Sequence, residues 1–341
     1  MRKLGLLDKI IFVLNSLFAF GLLISYLLPY VPPKTFQLLS VLSLGVPLLI
    51  ILNFIFLVFW AVRLKRQFLL SLIILLIGYN HVFSLFQFFG NTEEIHSDSL
   101  SIMSYNVRMF NAYKWSKDKN ISTEIADFVL EKNPDVLLTQ EHFMGENKIF
   151  EDYPYNYKFS KDKNSEFGSA IYSKYPIIKK HSVGFLEDGN NNAIFVDIVK
   201  NHDSLRIFNV HFQSLNIKPE IKDLKKGSSR RLVGRIGYGF KLQQNQAEML
   251  MKEVEKSPYK TLIIGDFNNT AFSYIYKMVK GDRFKDAFLK AGTGFGKSFN
   301  LSYFPLRIDF FLIDKSIEIE SFEVFPVNYS DHFPGLTRIK W

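Results

Sequence analysis

Cysteine is absent from the 341-residue chain, so neither a disulfide nor a thiolate can take part in its structure or chemistry. The absence fits an oxidising, extracytoplasmic location without establishing one. Internal repeats and low-complexity segments are also absent. Because nothing divides the chain after residue 92, we expect one large soluble domain there.

Charge is scarce in the first 92 residues. The uncharged stretches are 10–28, 35–62 and 67–92. Each is long enough to cross a hydrocarbon core, which takes about 20 helical residues. We therefore predict a membrane anchor over 1–92 with three transmembrane helices, at about 10–28, 38–62 and 67–89.

The basic residues of this region predict its orientation. They flank the first stretch or lie between the second and third: Arg2, Lys3, Lys9, Arg63, Lys65 and Arg66. The loop at 29–34 holds only Lys34, and its prolines replace the small-residue cleavage site of a signal peptide. By the positive-inside rule we expect a multi-pass cell-membrane protein with a cytoplasmic N-terminus. The domain after the third helix would then be periplasmic or extracellular.

The net charge of +9 supports this division of the chain. Residues 1–92 hold seven Lys or Arg against one acidic residue, Asp8. This region therefore carries a net charge of +6 out of the overall +9. The high isoelectric point is thus mainly a signal of membrane topology. It gives little support to a nucleic-acid partner.

Six short apolar, β-prone runs after residue 98 each carry polar residues at one end. They are SYNVR (104–108), LLTQE (137–141), IFNVHFQS (207–214), TLIIGDFNN (261–269), RIDFFLI (307–313) and SDHFPG (330–335). Strands of this kind would bring polar side chains towards one rim of a sheet. The side chains are Asn106, Glu141, His211, Asp266, Asn268, Asp309, Asp331 and His332.

These residue types suit metal-assisted hydrolysis of a phosphodiester or phosphomonoester. Carboxylates and an amide carbonyl hold Mg²⁺, and imidazoles handle protons. Any one segment is more often an ordinary strand and turn. Six of them in this order are much harder to explain as coincidence.

On these motifs, residues 98–341 resemble the endonuclease/exonuclease/phosphatase superfamily, which includes DNase I, apurinic endonucleases, neutral sphingomyelinases and inositol-polyphosphate phosphatases. The resemblance implies an α/β, DNase I-like fold in which two packed β-sheets are flanked by helices in four layers. It also implies a Mg²⁺- or Mn²⁺-dependent phosphoesterase. Residues 93–97 would be a short linker to the membrane anchor.

The resemblance also implies roles for the site residues. Glu141, Asn106 and Asp331 match the metal-binding positions. The catalytic positions are matched by His332, Asp266, His211, Asp309 and Asn268. Asn268 and His211 would contact the substrate, and Arg108 is expected to do so on the ground of its chemistry alone. Where apurinic endonucleases carry an acidic residue, this chain has Arg108, which suits a phosphate oxygen and weakens a two-metal or abasic-site reading.

The short connection favours a substrate close to the membrane, because the six residues 93–98 between the third predicted helix and the first strand span at most about 20 Å. A lipid headgroup is therefore more natural than nucleic acid. The basic stretch 217–241 is either a solvated surface or a flap that recruits anions. Substrate choice would reside in the loops at 142–166, 184–193 and 215–241.

Two alternatives stay open. One is a membrane-anchored extracytoplasmic endonuclease or exonuclease, and the other is a non-catalytic protein that binds phosphorylated ligands. The sequence does not indicate an oligomeric state.

Overall fold

The computed structural model describes residues 4–90, 96, 98–145, 150–162, 165–186, 189–215, 229–301 and 304–341. Of the predicted linker at 93–97, only His96 lies within this set. Lys218, Lys222, Lys225 and Lys226 of the basic stretch lie outside it, as do parts of the three predicted substrate loops.

Residues 4–90 form an N-terminal helical bundle. Its α-helices are α1 (Leu6–Ser25), α2 (Gln37–Val41), α3 (Val46–Val62), α4 (Phe68–Ile77) and α5 (Tyr79–Leu85). Two helical stretches, Leu6–Tyr30 and Gln37–Val62, are long and apolar enough to cross a membrane. These stretches correspond to the first two predicted transmembrane helices.

The third predicted helix, at 67–89, is not continuous. It consists of α4 and α5, whose axes differ by 83° at a break near Gly78. A side chain at Gly78 would collide with the ring of Tyr26, since its Cβ would lie 2.0 Å from Tyr26 Cζ. The Tyr26 hydroxyl also donates to the Ile74 carbonyl at 2.8 Å. Glycine thus lets Tyr26 pack into the break, which a continuous helix of larger residues would exclude.

A buried polar network joins α1, α3 and α4. Asn15 Nδ2 donates to Ser71 Oγ at 2.7 Å, and Trp60 Nε1 donates to Asn15 Oδ1 at 3.1 Å. Ser71 Oγ in turn donates to Asn53 Oδ1 at 3.4 Å. Such interhelical hydrogen bonds are a common means of associating helices in an apolar surrounding.

Residues 98–341 form a two-sheet domain. Its elements in chain order are β1 (Leu100–Asn106), α6 (Ile121–Lys132), β2 (Val136–Phe143), β3 (Tyr155–Phe159), β4 (Phe167–Ser173), β5 (Ile177–Ser182), β6 (Asn192–Lys200), β7 (Asp203–His211), α7 (Ser229–Glu255), β8 (Lys260–Asp266), α8 (Tyr274–Lys280), β9 (Phe284–Asp286), α9 (Ala287–Ala291), β10 (Asp309–Asp314), β11 (Glu318–Val324) and β12 (Gly335–Lys340).

Both sheets are six-stranded and mixed. Their strand orders are β11-β12-β1-β2-β4-β3 and β5-β6-β7-β8-β10-β9. One neighbouring pair in each sheet is parallel, β1 with β2 and β7 with β8. A core of buried Ile, Leu, Val and Phe fills the space between the sheets. Helix α6 packs outside the first sheet, and α7 and α8 pack outside the second, as the predicted α/β architecture requires.

The bundle and the two-sheet domain are in direct contact. Lys34, which follows the first long helix, forms an ion pair with Glu248 of α7, and its backbone N–H donates to Gln244 at 2.9 Å. Gln87 and Gly294 exchange backbone hydrogen bonds of 2.8 and 2.9 Å. The buried ring of Phe272 belongs to the hydrophobic core of the bundle. Besides helix α7, these contacts involve the segments of the two-sheet domain around Phe272 and Gly294.

Candidate active site

Strand register places the predicted polar residues at one edge of the two sheets. In the second sheet, Asp266 ends β8 and stands between His211 of β7 and Asp309 of β10. In the first sheet, Asn106 ends β1, beside the β2 segment that carries Glu141. The sequence prediction that these residues converge therefore agrees with the structure.

Gly265 allows β8 to present Asp266 in this position. Its φ is +139°, a conformation that residues with a side chain rarely adopt, and an added Cβ would lie 2.2 Å from the Val210 carbonyl oxygen. Only glycine fits this approach between the two parallel strands. The glycine that precedes Asp266 in the GDFNN motif is thus required for steric reasons.

A carboxylate and amide cluster forms the centre of the site. Asn106 Nδ2 donates to Asp266 Oδ2 at 3.0 Å and lies 3.4 Å from Glu141 Oε1. Asn268 donates to the same aspartate twice, through its backbone N–H at 2.7 Å and its Nδ2 at 3.2 Å. Glu141 and Asn268 both have left-handed backbones, with φ of 48° and 50°. Strained conformations of this kind persist where the surroundings fix a functional side chain.

Burial raises the pKa of both carboxyl groups in this cluster. For Asp266, desolvation exceeds the opposing effect of His332, and the pKa rises to about 7. For Glu141, desolvation also raises the pKa, while His332, Asn106 and Arg108 act in the opposite direction. Ionisation of both carboxyl groups in this poorly hydrated place is therefore unfavourable without a compensating cation.

His332 forms an imidazole–carboxylate pair with Asp309. Its Nδ1 lies 2.9 Å from Asp309 Oδ2, and its Nε2 lies 3.6 Å from Asp266 Oδ2. Burial alone would lower the pKa of His332, but Asp309 and Asp266 raise it to about 10. The imidazole is thus held as a cation, with its Nε2 directed towards the cluster.

His211 is the neutral counterpart of His332. Burial, reinforced by the charge of His332, lowers its pKa to about 3. Its Nε2 lies 3.8 Å from Asp266 and 3.9 Å from Glu141, and has no hydrogen-bond partner among the residues the structure describes. A buried nitrogen without a partner is costly unless a ligand completes it. The unpaired Nε2 of His211 therefore indicates a ligand-binding position between this histidine and the carboxylates.

Asp331, predicted to bind the metal together with Glu141 and Asn106, lies at the edge of the cluster in an ion pair with Arg108. Its Oδ2 lies 3.3 Å from Arg108 Nη1, and the guanidinium lies over the Trp115 ring at 4.4 Å from the centroid. Residues Arg108–Asn111 all have positive φ, between 42° and 65°. This left-handed turn carries Arg108 to Asp331, so Asp331 lies beside the cluster in an ion pair.

The donor set fits a hard divalent cation. Ligand atoms of Asp266, Asp309 and His332 lie within 4.8 Å of one another, but His332 is already engaged by Asp309. Glu141 is more available, since 27% of its side chain is exposed. In this structure Asn106 Oδ1 accepts from the Arg108 N–H at 3.1 Å, so ligation through that oxygen requires the amide to turn over. Oxygen-rich, desolvated sites of this kind are typical of Mg²⁺ and Mn²⁺.

Gln243, which none of the sequence motifs indicated, supports the site from α7. Its Nε2 donates to the carbonyls of Gln213, Phe267 and Asn268 at 2.7 to 3.3 Å, and its Oε1 accepts from Asn269. It thereby ties together the segments that follow His211 and Asp266. The available signal was a glutamine on the helix face that is otherwise apolar.

Two known families match the sequence. The endonuclease/exonuclease/phosphatase family covers residues 103–332, and a domain of unknown function covers residues 8–85. None of the curated proteins compared with the chain matches its sequence.

Solved structures resemble the two-sheet domain. The catalytic domain of human Nocturnin with a bound sulfate anion is 14% identical, with a TM-score of 0.55, over 72% of this chain and 96% of that chain. The mannosyl-6-phosphatase of Bacteroides thetaiotaomicron VPI-5482 is 16% identical, with a TM-score of 0.53, over 71% and 100%. D. rerio TDP2 humanized by 14 mutations is 15% identical, with a TM-score of 0.52, over 72% and 100%. At these identities the likeness concerns the fold alone.

Proposed function

The chain belongs to the endonuclease/exonuclease/phosphatase family, and on that premise we propose that it is a membrane-anchored, divalent-metal-dependent phosphoesterase acting at the outer membrane surface. Members of this family are hydrolases that act on phosphoester bonds. The observation that carries the proposal is the convergence of Glu141, Asn106 and Asp266 with the His332–Asp309 pair at one sheet edge.

In this proposal Glu141 and Asn106 hold Mg²⁺ or Mn²⁺, with Asp331 close by. The ion, when bound, polarises a phosphate oxygen as a Lewis acid. Asp266 orients the attacking water and removes its proton, and its raised pKa of about 7 suits that role near neutral pH. Asn268 contacts the phosphate from the neighbouring turn.

The two histidines have different tasks because their charges differ. The cationic His332, fixed by Asp309, stabilises the negative charge that develops on the phosphoryl group. The neutral His211 uses its unpaired Nε2 to contact the substrate on the leaving-group side. Arg108 contributes a second positive charge at the open rim, where 34% of its side chain is exposed.

We further propose that the two-sheet domain lies outside the cell. Arg63 pairs with Asp8 at 2.9 Å, which places the basic segment 63–66 and the start of α1 at one end of the bundle. Lys34 contacts α7 of the two-sheet domain, at the opposite end. Three crossings, with the bent pair α4 and α5 counted as the third, would put the basic end in the cytoplasm and the domain outside.

The position of the site supports a membrane-linked substrate. The turn that carries Asn268 continues directly to Phe272, whose ring packs in the bundle core. Phe295, a few residues before the Phe299 ring that packs on His332, contacts Phe86 of the bundle with centroids 4.8 Å apart. Because the rim of the site borders the bundle, a phosphoester in the lipid headgroup layer would lie within reach. Cleavage of nucleic acid alone would contradict this part of the proposal.

Divalent-cation binding tests the metal site directly. We expect Mn²⁺ to bind the purified full-length chain with an affinity that rises from acidic to neutral pH and then levels off. The cause is that Glu141, whose pKa is raised, and Asp266 must lose their protons before the site reaches its full negative charge. Calorimetric titration at several pH values measures the affinity.

Glu141→Gln should weaken Mn²⁺ binding by about 10-fold or more, whereas the exposed Glu131→Gln should not change it. Binding that is independent of pH and of Glu141 would refute the proposed metal site.

A further inference from the structure

An apolar groove of about 320 Å³ lies where the bundle meets the two-sheet domain. It is lined only by apolar residues: Ile50, Ile51, Phe54, Leu75, Val82, Leu85, Phe86, Phe88 and Phe295. This volume is at the lower end of the range for ligand-binding sites. We propose that the groove binds an acyl chain of the lipid phosphoester whose headgroup occupies the active site, an inference that rests on the proposed function.

The bend between α4 and α5 creates the groove. Since α5 turns away from α4 by 83°, it does not continue along α3, and Ile51 and Phe54 of α3 stay partly exposed. Val82 and Leu85 of α5 form another wall. The helical stretch that contains α3 is long and apolar enough to cross a membrane. In a bilayer, the opening of the groove would therefore face the lipid chains.

The segment 295–299 links the groove to the rim of the active site. Phe295, from the two-sheet domain, forms part of the groove wall, and Phe299 packs on the His332 imidazole with centroids 5.0 Å apart. Three residues separate Phe295 from Phe299 in the chain, and the four steps between their Cα atoms span at most about 14 Å. One lipid molecule could therefore extend from the groove to His332.

The charge along this path suits an anionic headgroup. Lys297 lies between Phe295 and Phe299, with its ammonium 3.3 Å from Asn300 Oδ1 and 5.5 Å from the Phe333 ring centroid. A phosphate travelling with an acyl chain would thus meet an apolar wall first, then a cation, then the His332–Asp309 pair. This order matches the layout of a phospholipid, in which a phosphate follows an acylated backbone.

Chain-length dependence tests the proposal in the full-length protein in nanodiscs. Hexadecyl p-nitrophenyl phosphate and methyl p-nitrophenyl phosphate carry the same leaving group, so their kcat/KM ratio reports the contribution of the chain. We expect the ratio to be at least about 10 in the wild type, because each methylene buried in the groove favours binding of the longer ester. Val82→Trp, which fills the groove, should lower the ratio by about 10-fold.

Val58→Trp is the matched control, because Val58 is 45% exposed on α3 and does not line the groove. It should leave the ratio unchanged. Equal effects of the two tryptophans, or a wild-type ratio near one, would overturn the acyl-chain site while leaving the phosphoesterase proposal intact.

Photochemical labelling separates the two proposals if neither ester is hydrolysed. A phospholipid with a photoactivatable acyl chain should label Ile51, Phe54 or Phe295 in the wild type, and Val82→Trp should suppress that labelling. Labelling that avoids these residues would overturn the groove assignment. Labelling as expected, without turnover of either ester, would instead contradict the proposed function alone.

Discussion

Asp266→Asn is expected to lower kcat for phosphoester hydrolysis by about 1,000-fold, since general-base catalysis contributes about 10²–10⁴. Asp266 is buried, accepts hydrogen bonds from Asn106 and Asn268, and faces His332 across 3.6 Å. Asparagine keeps the size of the side chain but cannot remove a proton from water. Steady-state hydrolysis by the purified full-length protein measures the effect.

The matched control is Asp282→Asn, because Asp282 lies exposed in the loop between α8 and β9. It should retain wild-type activity. Asp266→Asn should unfold at nearly the wild-type temperature, so that lost activity reports chemistry. If Asp266→Asn kept more than about a tenth of wild-type kcat, the assigned role of Asp266 would be wrong.

His332→Ala should lower kcat by a similar factor of about 10²–10³, as expected when a preorganised charge facing the reacting group is removed. Asp309→Asn should lower kcat by a smaller factor than His332→Ala. The asparagine keeps the imidazole in place but removes the main charge that holds its proton. The pKa of His332 should fall from about 10 towards its ordinary value. Activity of Asp309→Asn should consequently decline at a lower pH than that of the wild type.

An NMR titration of the His332 imidazole, with His332→Ala to assign its signal, measures this shift. The raised pKa of His332 also affects the free energy of unfolding. Because the folded state binds the His332 proton more tightly, this proton stabilises the folded protein fully at pH values below the unfolded pKa of 6.5. That contribution should be lost as the pH rises through about 10. An unchanged titration in Asp309→Asn would contradict the electrostatic coupling.

The convergence of the site residues could be predicted because each one follows an apolar, β-prone run. Parallel neighbours such as β7 and β8 bring their carboxyl ends to one edge, so His211 and Asp266 must lie side by side. The apolar stretches of the N-terminal region were equally visible. These features depend on local patterns, which sequence records directly.

Other features depend on backbone conformations and contacts that the residue types do not signal. The left-handed turn at Arg108–Asn111 contains no glycine, so nothing in the sequence indicated that Arg108 would reach Asp331. The break at Gly78 depends on Tyr26, which is 52 positions earlier in the chain. Helix α7 begins at Ser229, and its early turns pack on α2 of the bundle, a contact that the sequence of neither segment signals.

The contact between the site rim and the bundle was also beyond sequence reasoning. The short linker suggested that the site is near the membrane, but not which loops approach it. The structure identifies these loops as the ones containing Phe272 and Phe295. Such long-range packing arises from the whole fold, and no periodicity in either segment encodes it.

Hydrolysis by the full-length protein in nanodiscs, with Mg²⁺ or with EDTA, tests the central claim most directly. The panel comprises phospholipids, sphingomyelin, inositol phosphates and single- and double-stranded DNA, with Asp266→Asn as the inactive reference. We predict EDTA-sensitive release of product from a lipid phosphoester and none from the variant. Turnover that survives both EDTA and Asp266→Asn, or binding of these substrates without any turnover, would contradict a metal-dependent phosphoesterase.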